Sequence, residues 1–319
     1  MKRLLITIFA LLACFIMRAQ ENLTLMDNNA EPTRIDLWQT GHQPNSRLQG
    51  DALPTDSISR QRIWRCGVPR IYAYQPVVEE RSKTAVILIP GGGYIKQAYE
   101  VSGVTLAKWL NSIGITAFVL LHRLPNQTEL IDPWKAPLQD AQRAIRYVRA
   151  HAEEYGIDPN CIGVMGTSAG GHFSACVSTL TEDWSAIGDE YDKVPFLPNF
   201  AILVSPIINE LESETAGKRL DLCGATMDDP TWSKLFAIDK SVSSANPPTL
   251  MIHASDDPAV PVLNSAKMFQ ALKRAGVEKC SLHIFPFGKH SIAMRHQPGS
   301  TALWPEIAEE WMKEIGVFE

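Results

Sequence analysis

Residues 161–173 read Cys161-Ile162-Gly163-Val164-Met165-Gly166-Thr167-Ser168-Ala169-Gly170-Gly171-His172-Phe173, and this stretch decides the fold. An apolar run, Cys161–Met165, leads into Gly166-Thr167-Ser168-Ala169-Gly170, and a helical pattern starts near Gly171. A side chain held on a very tight strand-to-helix turn needs small residues two before and two after it, and glycines stand at both places. The N-terminus of the helix behind the turn favours negative charge developing nearby. The pentapeptide by itself fits a plain glycine-rich turn. Its position between a buried strand and a helix makes Ser168 a candidate nucleophile.

Similar short apolar runs recur on either side, at Thr84–Ile89, Ile115–Leu121, Ala201–Val204, Thr249–His253 and Ser281–Phe285. Each is too short for a helix and rich in Val, Ile, Leu or Phe, as strands buried on both faces are. Helical patterns lie between them. Pro137 sits where a first-turn proline is tolerated, Leu138, Ala141, Ile145 and Val148 follow at three- and four-residue steps, and Gly156 stands beyond. Val262–Ala275 and Thr301–Ile315 read alike. This alternation predicts an α/β fold with right-handed crossovers and a mostly parallel sheet covered on both faces.

No second domain is expected. Residues 1–19 read as a signal peptide: Lys2 and Arg3, an apolar run from Leu4 to Met17, then Arg18-Ala19-Gln20. The run is shorter than the roughly 20 residues needed to span a bilayer. Leu11-Leu12-Ala13-Cys14 also resembles a lipoprotein signal, with Cys14 as the anchored residue, although Phe15-Ile16-Met17 would then follow the anchor. Either reading exports the protein, to the periplasm or beyond. Residues 20–69 have little periodicity and read as an extended N-terminal arm leading to edge strands near Arg70–Tyr74, with 70–319 as the catalytic domain. Ile207–Ala245 is polar, with a weak helical pattern around Trp232–Phe236, and interrupts the alternation where a cap over a site can be inserted.

Composition narrows the chemistry only a little. The 319 residues are 45% hydrophobic and 20% charged, which fits a globular chain rather than a disordered one. A formal charge of −5, or −8 once Lys2, Arg3 and Arg18 are removed, provides no basic surface for nucleic acid. Six cysteines are too few for a disulfide scaffold. Cys161, Cys176 and Cys280 begin or lie within apolar runs and read as buried small hydrophobes. No Cys/His cluster has zinc spacing, and a serine nucleophile with a histidine base requires no metal and no organic cofactor.

Two further loops carry chemistry. Pro90-Gly91-Gly92-Gly93-Tyr94 follows the strand Thr84–Ile89. Consecutive glycines let backbone N–H groups point into a cavity, and together with the N–H of Ala169 they can stabilise an oxyanion. A phosphate cradle would want Gly-Lys-Ser/Thr, which is absent here. Asp256-Asp257-Pro258 and Gly288-Lys289-His290-Ser291 follow the last two strands, and loops at strand carboxyl ends are where an open α/β sheet gathers its site. An imidazole with an ordinary pKa near 6.5 can take the serine proton, and a carboxylate fixes its tautomer. His290 is the candidate base, with His296 as the alternative, and either Asp256 or Asp257 is the candidate acid. His253 and His283 fall within strands and read as packing histidines. His172 lies on the helix after the serine, and His122 stands at a strand end where it can line the site.

The combination of Pro-Gly-Gly-Gly-Tyr, Leu121-His122-Arg123-Leu124-Pro125, Asp140-Ala141-Gln142-Arg143-Ala144-Ile145-Arg146, Gly-Thr-Ser-Ala-Gly-Gly-His and His253-Ala254-Ser255-Asp256-Asp257 with Val260-Pro261 resembles the bacterial esterase/lipase group of the α/β-hydrolase superfamily. Within that group it is most similar to acetylxylan esterase-like carbohydrate acetylesterases, from about Leu37 to the C-terminus. The resemblance implies an α/β-hydrolase fold with a small insertion after the sixth strand. It places nucleophile, acid and base on Ser168, Asp257 and His290, and oxyanion donors on Gly92, Gly93 and Ala169. Two positions depart from the wider pattern. Pro90 stands where a histidine commonly opens the glycine run, and Lys289 stands where a glycine commonly precedes the histidine. The implied activity is serine carboxylic-ester hydrolysis, with O-acetyl groups on plant polysaccharide such as xylan, or another small ester, as substrate. Trp38, Trp64, Tyr94, Trp134, Trp184 and Trp232 can stack on sugars or belong to the core. A prolyl-oligopeptidase-like peptidase shares triad and fold but usually adds a propeller domain. A catalytically silent binding protein on the same scaffold is the third reading.

Overall fold

The computed structural model describes residues 31–39, 42–78, 81–210, 230–292 and 297–319. The signal-peptide and Cys14 readings therefore lie outside the described residues, as do His296 and Cys223. Among the described residues no helix is long and apolar enough to cross a membrane.

The apolar runs form the middle of one eight-stranded sheet. In chain order its strands are β1 (Thr33–Asp36), β4 (Arg70–Tyr74), β5 (Ala85–Ile89), β6 (Thr116–Leu121), β7 (Ile162–Thr167), β8 (Phe200–Val204), β9 (Thr249–Ala254) and β10 (Ser281–Phe285). Their spatial order is β1-β4-β6-β5-β7-β8-β9-β10. From β6 to β10 all pairs are parallel, while β4 runs antiparallel to both β6 and β1. Strands β2 (Ser57–Ser59) and β3 (Arg62–Arg65) form a separate antiparallel hairpin.

Side chains alternate across the sheet, and both faces are dry. Ala85, Ile87 and Ile89 of β5 pack on one side with α2 (Lys135–Ala150), α3 (Ala169–Thr179) and α5 (Leu263–Arg274). Val86 and Leu88 pack on the other with α1 (Thr105–Ser112) and α6 (Trp304–Glu314). Two-sided burial is why the central strands read as unbroken apolar runs. The crossover helices predicted around Leu138–Val148, Val262–Ala275 and Thr301–Ile315 are α2, α5 and α6. α3 opens at Ala169, two residues before the expected start.

The described residues of the arm, 31–39 and 42–69, are more ordered than their composition suggests. β1, not β4, is the sheet edge on this side, and three of its four residues are exposed. An edge strand is held by its backbone ladder, so it shows no apolar alternation to detect. Beyond it, Leu37 and Trp38 are buried, the Trp38 indole donates to Asp140 Oδ1 at 2.8 Å, and Arg143 Nε donates to the Leu37 carbonyl at 2.9 Å. α1 has no counterpart in the sequence reading. Eight residues present only two turns of its apolar face, Leu106, Ala107, Trp109 and Leu110. Cys161 and Cys280 are half-buried rather than buried, whereas Cys66 and Cys176 are buried, and all four are free thiols.

The insertion follows β8, the sixth strand of the main sheet in chain order. Its described parts include α4 (Pro230–Leu235), which places Trp232, Leu235 and Phe236 against the core.

Candidate active site

The turn between β7 and α3 holds Ser168 at φ 59° and ψ −121°. A non-glycine residue at positive φ is costly and persists only where its surroundings over-determine it. Here the Ser168 N–H donates to the Val204 carbonyl at 2.9 Å, and its carbonyl accepts from the His172 N–H at 3.0 Å. The flanking glycines are sterically required. A Cβ on Gly166 would lie 2.2 Å from the Gly170 carbonyl oxygen, and one on Gly170 would lie 2.0 Å from that of Ile89.

Ser168 Oγ lies 2.8 Å from His290 Nε2, and His290 Nδ1 lies 2.8 Å from Asp257 Oδ2 and 3.0 Å from Oδ1. Asp257 Oδ1 also accepts the N–H groups of Ala259 and Val260 at 2.8 and 2.9 Å. Its side chain is shut off from solvent. Burial pushes this carboxyl up, yet hydrogen bonds from His253, His290 and the Val260 N–H outweigh burial and hold it well below the usual carboxylate range. The negative charge is thus retained inside the protein, facing the imidazole.

His253 is fully buried, and its packing role has a further consequence. Its Nε2 lies 3.0 Å from the Val260 carbonyl and 3.3 Å from Asp257 Oδ2, while Nδ1 lies 2.8 Å from Ser265 Oγ. A carbonyl only accepts, so the network assigns the proton to Nε2, and Ser265 donates to Nδ1. Asp257 Oδ2 is therefore held by a second imidazole, that of His253, besides His290. Asp256 does something else: its carboxylate accepts the Lys289 N–H at 2.8 Å and fastens the loop one residue before His290. Lys289 itself adopts φ 56° and Ser291 φ 57°, so His290 sits between two left-handed residues. The departure from glycine at 289 costs backbone strain, which the Asp256 bond helps to offset.

The Pro90–Tyr94 loop abuts this chain of groups. A Cβ on Gly91 would lie 2.2 Å from the Thr167 carbonyl oxygen and 3.1 Å from Ser168 Cβ. Gly92 at φ 152° and Gly93 at φ 66° carry the backbone onward, and Ala169 opens α3 directly after the serine. Tyr94 closes the loop; it is buried, with its hydroxyl 3.0 Å from His172 Nδ1 and its ring edge-on to Phe173 and Phe236.

The remaining candidates separate by environment. His172 Nε2 meets the Leu235 carbonyl at 2.8 Å, which ties the elbow helix to α4. His122 is buried beside Phe173 with Nδ1 on the Arg123 carbonyl, and burial lowers its pKa. His283 is half-buried and bonded to Ser281. Sequence reasoning missed Gln97. It is fully buried, its amide bonds both backbone groups of His122, and its backbone pairs with Ile63 of β3. Arg123 and Asp140, quoted above only as motif letters, form a buried ion pair at 2.7 Å that locks the loop after β6 onto α2. Among the described residues no cluster of three or more His, Cys, Asp or Glu side chains could hold a metal ion.

Residues 71–272 match the BD-FAE family. The chain belongs to that family. The BD-FAE match takes in Gly92, Gly93, Ser168, Ala169 and Asp257 and stops before His290. An acetylxylan esterase of Xylanibacter ruminicola is 32% identical over 243 residues, 75% of this chain and 45% of the relative. The endo-1,4-beta-xylanase B of Butyrivibrio fibrisolvens is 28% identical over 273 residues, 82% of this chain and 42% of the relative. This BD-FAE chain thus spans somewhat under half the length of these curated relatives. The crystal structure of an acetyl ester-xyloside bifunctional hydrolase from Caldicellulosiruptor lactoaceticus superposes with a TM-score of 0.73 at 34% identity. That match covers 92% of this chain and all of the other.

Proposed function

We propose that this BD-FAE protein is an exported serine carboxylic-ester hydrolase that removes O-acetyl groups from plant polysaccharide or oligosaccharide such as xylan. The observation that carries the reading is the unbroken relay from Ser168 Oγ through His290 to Asp257, with both links at 2.8 Å, on a serine held at positive φ. The activities for which the X. ruminicola and C. lactoaceticus proteins are named support the acetyl and xyloside parts of the reading. The short apolar segment behind Lys2 and Arg3 supports export.

In the proposed reaction Ser168 Oγ attacks the ester carbonyl carbon while its proton passes to His290 Nε2. Asp257 stabilises the imidazolium from the Nδ1 side. The carbonyl electrons move onto oxygen, where the N–H groups of Gly92, Gly93 and Ala169 receive the charge. Collapse of the tetrahedral intermediate breaks the bond to the sugar oxygen, which takes the proton from His290. Water, deprotonated by His290, then attacks the acyl-serine, the bond from the acyl carbon to Ser168 Oγ breaks to release acetate, and Oγ takes the proton back from His290. Ser168→Ala removes the attacking atom and is expected to abolish nitrophenyl acetate turnover, acetate release from acetylated xylan and labelling by a fluorophosphonate. Retained turnover refutes the mechanism. Turnover of the nitrophenyl ester without acetate release from xylan refutes the substrate.

A further inference from the structure

The chain has eight tryptophans, all among the described residues. Of the five named above as possible sugar platforms, Trp38 and Trp232 are core residues, and Trp134 and Trp184 pack half-buried against it. Trp109, Trp304 and Trp311 belong to the opposite core cluster. Trp64, on the β3 strand of the hairpin, is 39% exposed, and Ile63 beside it supplies the buried face. A large flat ring turned outward while every other tryptophan is packed calls for a function, because its burial would be worth about 1.5–3 kcal/mol or more.

Trp64 lines a groove of about 350 Å³ whose other wall is the loop leaving the carboxyl end of β6, with Asn126, Gln127, Thr128 and Glu129. Gln127 is the buried floor. Its amide accepts the Leu124 N–H at 2.8 Å and donates to the Cys66 carbonyl at 3.1 Å and to Glu129 Oε1 at 2.6 Å. Asn126 and Thr128 are exposed at the rim. The indole is held in place, since Lys96 Nζ lies 4.8 Å from its ring centroid and Lys96 does not itself line the groove.

This groove shares a frame with the nucleophile. Ile63 and Gln97 exchange two backbone hydrogen bonds at 3.0 and 2.8 Å. The Ala98 N–H donates to the Gly91 carbonyl at 2.7 Å, and Gly91 abuts Ser168. The chain leaves β6 toward this wall, and leaves β7 into the serine turn, at the same end of the sheet, from strand ends two strands or roughly 10 Å apart.

We propose that this groove is a subsite for pyranose rings of the polysaccharide main chain, with Trp64 stacking on the sugar face and the Asn126, Thr128 and Glu129 side chains bonding its hydroxyls. A pyranose presents an apolar C–H face rimmed by hydroxyls, and one indole among amide, hydroxyl and carboxylate groups matches both parts. Arg65 and Glu129 carry opposite charges in the groove, which suits an uncharged sugar. The inference rests on the carbohydrate-ester reading above and adds where the chain of the substrate lies.

The test uses the full-length protein carrying Ser168→Ala in affinity gel electrophoresis against soluble deacetylated xylan, where no ester is present to cleave. Retardation of Ser168→Ala is expected, and Trp64→Ala or Asn126→Ala added to it should weaken the retardation, with Trp64→Phe keeping part of it. With active protein, the kcat/KM for acetylated xylo-oligosaccharide relative to that for nitrophenyl acetate should fall roughly threefold to tenfold in Trp64→Ala, the range expected for loss of one aromatic stacking contact. No retardation of Ser168→Ala by xylan, or equal retardation with and without Trp64, overturns the subsite. Trp64-dependent retardation in a protein that releases no acetate from xylan overturns the esterase reading and leaves the subsite standing.

Discussion

Replacing Asp257 by Asn is nearly isosteric, and the surrounding hydrogen bonds dictate its outcome. Asp257 Oδ1 accepts two backbone N–H groups, from Ala259 and Val260, at 2.8 and 2.9 Å. Those amides can only donate, and two of them at Oδ1 outweigh the His253 Nε2–H at Oδ2, which is shared with the Val260 carbonyl, so the asparagine oxygen takes the Oδ1 position and its NH₂ that of Oδ2. Oδ2 is the atom 2.8 Å from His290 Nδ1. A donor now faces Nδ1, which must accept, and the remaining ring proton moves to Nε2 and points at Ser168 Oγ. The histidine then has no lone pair for the serine proton. The imidazolium of the transition state also loses its buried counter-charge. Wrong tautomer and lost charge together are expected to lower kcat by about 10³- to 10⁴-fold, roughly 4–5.5 kcal/mol of barrier, as for the equivalent change in other serine hydrolases. The assay is nitrophenyl acetate hydrolysis under saturating substrate, with a melting curve to establish that the variant is folded. Asp256→Asn is the internal control: its amide oxygen can still accept the Lys289 N–H, so only a few-fold loss is expected. A folded Asp257→Asn protein within tenfold of wild type refutes the assignment of the acid, as does an Asp256→Asn protein that is the more damaged of the two.

Asp140→Ala leaves the Arg123 guanidinium buried without its counter-charge and removes the acceptor of the Trp38 indole, so a loss of about 3–5 kcal/mol in urea unfolding is expected, and less than 1 kcal/mol contradicts it. Stability should also fall as the pH drops from 7 to 5. Burial lowers the His122 pKa in the folded state, so the unfolded chain binds the extra proton; the stabilisation is complete above the unfolded value near 6.5 and is lost below it. His122→Asn should flatten that slope by at most about 1.4 kcal/mol per pH unit, and an unchanged slope excludes His122 as its source.

Much of the fold can be read without coordinates because the central strands are buried on both sides, which leaves unbroken apolar runs at Ala85–Ile89, Thr116–Leu121 and Phe200–Val204. β1 is invisible for the complementary reason. It is an edge strand whose residues, apart from half-buried Ile35, face solvent, and its hold on the sheet is backbone pairing with β4. The site divides in the same way. Ser168 is legible because the contact that forbids a side chain at Gly166 is with Gly170, four residues on, inside the motif itself.

By itself, then, the sequence determined the central parallel strands and the crossover helices around Leu138–Val148, Val262–Ala275 and Thr301–Ile315, the serine elbow, and the three loops in which a base, an acid and oxyanion donors had to be sought. Tertiary structure decided between neighbours of the same chemistry. Asp256 and Asp257 are adjacent carboxylates. One receives the imidazole of residue 290 and the other the N–H of residue 289, because the loop after β10 is laid across them from 33 residues away. The eight tryptophans are likewise equal as letters, and only packing buried or half-buried seven of them and turned Trp64 toward solvent. Such choices depend on contacts between segments far apart in the chain, and no local pattern of residues encodes which of two equivalent side chains will meet them.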